Sequence, residues 1–192
     1  MKGVSSMMGL VILLVLSFSI GGGIKGMGTG QFLASLLGDS IDGAFCPAII
    51  FLMGALMAFC TGTSWGTFSI MMPIAVPMAV AMNGNILLTI GAVVSGGIFG
   101  DHCSPISDTT ILSSAGSGCS HISHVSTQLP YAWFVACCCF VGYVAAGFSK
   151  GSWIISFGTT AVCFVGFLAF MWNRSFNVRA FAKNIHSPIN IG

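Results

Sequence analysis

The run Gly96-Gly97-Ile98-Phe99-Gly100-Asp101-His102-Cys103-Ser104-Pro105-Ile106-Ser107-Asp108-Thr109-Thr110 carries the densest chemistry in the sequence. Two carboxylates, Asp101 and Asp108, bracket a proline and two serines next to a strongly apolar stretch. A charge at bilayer depth costs at least about 2.5 to 3.5 kcal/mol on insertion scales, so it is tolerated only facing a cavity or a partner. Pro105 removes a backbone donor and frees carbonyl oxygens, while Ser104, Ser107 and Thr109 add hydroxyls. Hard cations take oxygen ligands, and a carboxylate in low-dielectric surroundings holds a proton more readily than in water. A group that accepts either a proton or a cation is the core of exchange chemistry. The competing reading is capping, since Asp is a favoured N-cap and either residue could simply close a half-helix. The functional role is expected first at Asp108 and next at Asp101.

A second cluster, Thr61-Gly62-Thr63-Ser64-Trp65-Gly66-Thr67, separates two apolar runs. Its glycines permit a tight turn and close approach of backbone to an ion. The hydroxyls of Thr63, Ser64 and Thr67 suit a small cation without adding charge. The blander alternative is a turn whose Ser and Thr satisfy helix ends. Gly62 and Gly66 also have helix-packing GxxxG spacing. Gly62, Gly66, Gly100 and Pro105 are expected as structural hinges. Cys119, His121 and His124 are spaced loosely like metal ligands but lack a fourth, so they read as a loop with two histidines. Imidazole titrates near physiological pH, which gives such a loop some capacity to sense it. His102 abuts Asp101 and is expected to tune it, and Asp39 and Asp42 read as solvated turn residues. No structural metal site and no cofactor box is visible.

These residues sit in a chain of 192 residues that is 55% hydrophobic and 5% charged, with a mean hydropathy of +0.97. A soluble domain carries about a quarter of its residues as charges. Six basic and four acidic residues cannot cover the surface of a 19.9 kDa globule. Soluble enzyme, nucleic-acid binder and disordered tail are all poor readings on this ground, and a net charge of +2 is too small to imply nucleic acid. The eight cysteines lie largely in apolar runs, Cys137 to Cys139 consecutively, and act there as small hydrophobes. The apolar run from Met7 to Ile20 ends in no small-x-small cleavage site and reads as a retained span. The fold class is therefore an all-α integral membrane protein.

Spanning the hydrocarbon takes about 20 apolar residues, and residues 5–24, 127–148 and 152–172 fit simply. Residues 46–82 are too long for one span and too broken for two, so they read as a re-entrant hairpin of half-membrane helices. Residues 86–118 form a span broken at Asp101 to Asp108. Two Gly/Pro-interrupted apolar segments point to a transporter's binding site, because irregular backbone at depth survives only when buried or lining a wet cavity. Residues 1–173 thus form one transporter unit, followed by a basic tail, 174–192. Arg174, Arg179 and Lys183 place that tail in the cytoplasm by the positive-inside rule. With a re-entrant hairpin the N-terminus is cytoplasmic too, and Lys25 and Lys150 face out. The tail's Phe176 and Phe181 suggest a segment lying on the membrane surface. The expected location is the plasma (inner) membrane, as a multi-pass protein.

The runs TGTSWGTFSIMMPIAVPMA (Thr61–Ala79), GGIFGDHCSPISDTTILSS (Gly96–Ser114) and HVSTQLPYA (His124–Ala132) closely resemble the NhaC-type sodium/proton antiporters. These belong to a larger group of ion transporters built from two inverted repeats, each with a re-entrant hairpin and a broken span. The resemblance implies Na⁺/H⁺ exchange with no cofactor beyond the transported ions. Asp101, Ser104, Ser107 and Asp108 match the polar positions of the second motif, and Thr63, Ser64 and Thr67 match the hairpin tip. Family members are about twice as long, so the resemblance is to a C-terminal half, one repeat of the pair. Its implied partners are the lipid bilayer, an N-terminal transporter half and, for the complete transporter, further copies of itself. Two other classes compete. One is a non-transporting membrane subunit or fragment. The other, ranked last, is an intramembrane enzyme using Asp101 and Asp108, or His102 with Cys103. Neighbours on a helix point about 100° apart, which suits a His-Cys pair poorly.

Overall fold

The computed structural model describes residues 2–37 and 42–185. Asp39 lies outside them, as does the tail beyond residue 185. The described elements are all helical: α1 (Lys2–Gly26), α2 (Thr29–Leu37), a 3-10 turn (Gly43–Phe45), α3 (Cys46–Thr61), α4 (Ser64–Ala81), α5 (Ile86–Cys103), α6 (Asp108–Gly116), α7 (His121–Phe148) and α8 (Trp153–Ile185).

Local chemistry sets these boundaries. Asp42 opens the 3-10 turn by accepting from the Ala44 N–H at 3.0 Å, and Pro47 sits in the first turn of α3, where an N–H has no partner to lose. Gly62 ends α3 in the left-handed region, φ +67°, with its N–H donating to the Ala58 carbonyl. Thr63 then caps α4, Asn85 caps α5, Ser107 caps α6 and Ser120 caps α7, each through a side-chain oxygen. The stretch between α1 and the 3-10 turn contains a short helix, α2. A Cβ on Gly30 would come within 2.6 Å of the Ile74 carbonyl, so α2 packs directly on the backbone of α4.

α3 packs chiefly on α5, and the two run parallel: Phe51 meets Gly96, Ala55 meets Gly100, and Phe59 meets Ser104. Their backbones touch. A Cβ on Gly96 would overlap the Phe51 carbonyl oxygen, and one on Gly100 would overlap that of Ala55. α4 runs back antiparallel, with Phe68 against Gly97, and α1 lies along α4 with Ser17 beside Gly66 and Gly21 against Ser69. α7 is antiparallel to α3 and α5, fixed by a 2.7 Å hydrogen bond between Ser95 and Tyr143 and by Phe99 against Trp133. α8 returns along α7, where Phe134 stacks on Phe167. Ile50, Phe51, Met71, Ala75, Met78 and Val93 form the core. The α3–α4 turn, the α5–α6 break and the far end of α8 therefore share one end of the bundle, level with Ser17 of α1, whose start extends further out on that side. The start of α3, the end of α4 and the Ser149–Gly151 turn share the other.

Four described helical stretches are long and apolar enough to cross a membrane: Gly43–Thr61, Ser64–Ala81, Ile86–Cys103 and His121–Phe148. The two helices of the expected hairpin hold 16 and 18 residues, or about 24 and 27 Å at 1.5 Å per residue. Each exceeds half of the roughly 30 Å hydrocarbon core. A re-entrant loop and two complete crossings both return the chain to its starting face, so the expected sidedness is the same either way. α8 continues past residue 173 without a break, because no Gly or Pro interrupts the chain between Trp172 and Ile185. The basic segment therefore begins as a continuation of that helix.

The α3–α5 contact gives a direct prediction. Gly100→Ala places a methyl group against backbone atoms of Ala55 and Phe59, which cannot rotate aside. Overpacking of this kind costs about 1 to 3 kcal/mol. Cys103 is 3% exposed on the next turn, so its thiol should label with maleimide markedly faster in Gly100→Ala than in the parent, both carrying Cys103 as their only cysteine.

Candidate ion-exchange site

The two irregular segments of the sequence meet in space. Ser104 Oγ donates to the Phe59 carbonyl at 2.8 Å, tying the start of the break to the last turn of α3. A Cβ on Gly62 would lie 2.9 Å from the Ile106 carbonyl oxygen, so the α3–α4 turn rests on the backbone of the break. Only glycine allows both that approach and the positive φ.

Asp101 lies in the last turn of α5 and is 3% exposed. Its Oδ1 accepts a 2.6 Å hydrogen bond from Ser107 Oγ. Ser107 is fully buried; its Oγ also accepts from the Thr109 N–H at 3.2 Å and lies 2.7 Å from Thr109 Oγ1. The break thus folds back so that the cap of α6 reaches the carboxylate at the end of α5. The end of a helix carries partial negative charge, which opposes a carboxylate there. The described lysine side chains, Lys25 and Lys150, belong to the last turn of α1 and the α7–α8 turn, towards the other end of the bundle. Burying a charge is costly unless it is paired and hydrogen-bonded.

The remaining expected site residues fall into two groups. Thr67 is buried and donates to the Thr63 carbonyl at 2.9 Å, while Thr63 Oγ1 accepts from the Gly66 N–H at 3.4 Å. The tip hydroxyls of Thr63 and Thr67 thus serve helix geometry first, and Ser64 opens α4, half-buried. Asp108 occupies the first position of α6 and is exposed, at the positive end of that helix. Ser107, not Asp108, is the cap. Pro105 and Gly62 lie in turns, whereas Gly66 and Gly100 lie inside α4 and α5, where they permit close packing.

Two expectations change. His102 does not turn towards Asp101: its Nδ1 donates to the Ile98 carbonyl at 2.9 Å and the side chain is exposed. Cys103, its neighbour, is buried, so the two side chains face apart. His121, read as a loop residue, instead ties the start of α7 to the break. Its Nε2 donates to the Pro105 carbonyl at 2.6 Å and its Nδ1 lies 3.3 Å from Ser114 Oγ. Nothing in the spacing of Pro105 and His121 announces that contact. Gly100, expected as a hinge, packs instead, and its four-residue spacing from Gly96 is the signal that could have marked both. Among the described residues, no three His, Cys, Asp or Glu side chains group as a metal site.

Residues 1–148 match the sequence profile of the Na⁺/H⁺ antiporter family. The chain belongs to this family. It is 48% identical over 164 residues to an uncharacterised protein of Haemophilus influenzae, a match covering 85% of this chain and 31% of the relative. It is 35% identical over 133 residues to an uncharacterised Na⁺/H⁺ antiporter of the same organism, covering 67% of this chain and 28% of that one. It is 32% identical over 113 residues to the malate-2H⁺/Na⁺-lactate antiporter of Bacillus subtilis, covering 50% and 24%. No solved structure matches the chain. The matched stretches span about a third or less of these relatives, a smaller share than the half implied by the resemblance.

Proposed function

We propose that this chain supplies one ion-binding unit of a longer transporter that exchanges Na⁺ for H⁺ across the plasma membrane. Family membership supports transport at the coarse level. The observation that carries the finer reading is Asp101, buried at the carbonyl end of α5, held by a hydroxyl, and placed where the α3–α4 turn meets the α5–α6 break. That group alternates between a proton and a cation. Ser104 and the carbonyls freed around Pro105 provide hard oxygen ligands of the kind Na⁺ prefers over nitrogen or sulfur. Asp108, exposed beside the break, supplies a second carboxylate facing the remainder of the transporter. α1 runs out past the break towards Lys2, and the α8 extension bearing Arg174, Arg179 and Lys183 runs to the same side, which supports placing that side in the cytoplasm.

The test is made on the complete transporter reconstituted in proteoliposomes. An imposed Na⁺ gradient should drive proton movement in the opposite direction, read by an internal pH dye. The rate should saturate with Na⁺ and collapse when K⁺ replaces it. Absence of Na⁺-driven proton movement sinks the reading. A specific alternative comes from the relative named for malate and lactate; it is favoured if protons move only when an organic carboxylate is present.

A further inference from the structure

Asp101 is closed off on the side of the break. It is 3% exposed and its hydroxyl partner Ser107 is fully buried, while Thr109, the next link, is exposed. Further protein packed around this chain can only increase the burial of Asp101 and Ser107. A proton reaching the carboxylate from this side has one ready path, the line of oxygens Thr109 Oγ1, Ser107 Oγ and Asp101 Oδ1, with gaps of 2.7 and 2.6 Å. We propose that Thr109 and Ser107 form a two-hydroxyl relay that delivers and removes the exchangeable proton of Asp101 separately from the cation's route. This inference rests on the exchange reading above.

The hydrogen-bond polarity fits. Ser107 has a single hydroxyl proton, and an ionised Asp101 can only accept, so that proton points to Oδ1. Thr109 must then donate its own proton to Ser107, leaving the Thr109 lone pairs free to accept from water. When a hydronium ion gives its proton to Thr109 Oγ1, the Thr109 hydrogen passes to Ser107 and the Ser107 hydrogen passes to Asp101. One O–H bond forms and one breaks at each hydroxyl. Both remain neutral, and a neutral carboxylic acid replaces the carboxylate. Release runs the same steps in reverse. A sodium ion cannot follow this path, because no atom moves along it other than hydrogen.

The simpler account of the contact is capping of α6, and the two separate cleanly. Capping uses the Thr109 backbone N–H, which any side chain leaves in place. The relay needs the Thr109 hydroxyl. Thr109→Val keeps size and branching and removes that hydroxyl. In reconstituted complete transporter, Thr109→Val should lower the maximal Na⁺-driven proton flux by about a hundredfold, at the low end of what positioned proton transfer contributes. The apparent KM for Na⁺ should stay near the parental value, and Thr109→Ser should restore the rate. Thr109→Ala gives the same comparison if the valine variant fails to fold. Parental flux in the hydroxyl-free variants overturns the relay and leaves the exchange reading intact. A loss expressed through KM for Na⁺ also overturns it, and makes Thr109 a cation ligand. No Na⁺-driven flux in the parent protein overturns both.

Discussion

Asp101→Asn in the complete transporter is expected to reduce Na⁺-driven proton flux to background while leaving the protein folded and inserted. The substitution preserves shape, and the Asn carbonyl oxygen can still accept the Ser107 hydroxyl that now bonds Oδ1. What is lost is the capacity to hold a proton or a cation by charge. Burying an amide costs less than burying a carboxylate, so the variant without Na⁺ should be at least as stable as the parent. The parent gains stability from bound Na⁺, by about 2.7 kcal/mol when Na⁺ is a hundredfold above Kd. A thermal shift with added Na⁺ that appears in the parent and vanishes in Asp101→Asn is the companion readout. Asp108→Asn should be milder, raising the apparent KM for Na⁺ while retaining turnover, since Asp108 is exposed at the start of α6. Normal flux in Asp101→Asn together with loss in Asp108→Asn would reverse these roles.

This order reverses the one read from sequence, which put Asp108 before Asp101. Both lie in the same motif, and burial depends on how α6 turns back after Pro105, which the tertiary contacts of Ser104 and Ser107 decide. The elements themselves were largely legible. Apolar length marks the helices, and Gly62, Pro105 and the hydroxyls around them mark the irregular segments. Convergence of the two motifs was readable only as an implication of family resemblance, because nothing in the spacing of Phe59 and Ser104 requires that they touch. His102 shows the limit of adjacency: next to Asp101 in sequence, it points away because successive helical side chains diverge by about 100°, and its ring bonds the carbonyl one turn back. His121 shows the converse, a distant residue that closes on the break. α2 was hidden for a different reason. It is short, and its glycine reads as a loop signal, whereas here Gly30 is what lets the helix lie on α4.

The chain produced alone is expected to enter membranes and show no exchange, with activity returning when the rest of the transporter is supplied. Its stretches long and apolar enough to cross support insertion. The site, however, is built from one α3–α4 turn and one α5–α6 break, and the side chains of His102 and Asp108 beside it are exposed. In inverted-repeat transporters the ion lies between two such units, near the midplane, where half-helix ends from both converge. Polar groups left against lipid cost several kcal/mol each, and contact with acyl chains returns nothing towards them. Pairing with an identical copy does not supply the missing face, because two copies inserted the same way round are related by an axis normal to the membrane, not by inversion within it. Purified chain in proteoliposomes should therefore give no Na⁺-dependent proton movement, and co-expression with the remaining segment of the transporter should restore it. Exchange by the purified chain alone would show that one unit, or a parallel pair, completes the coordination of Asp101, and the requirement for a second, inverted unit would be the premise to abandon.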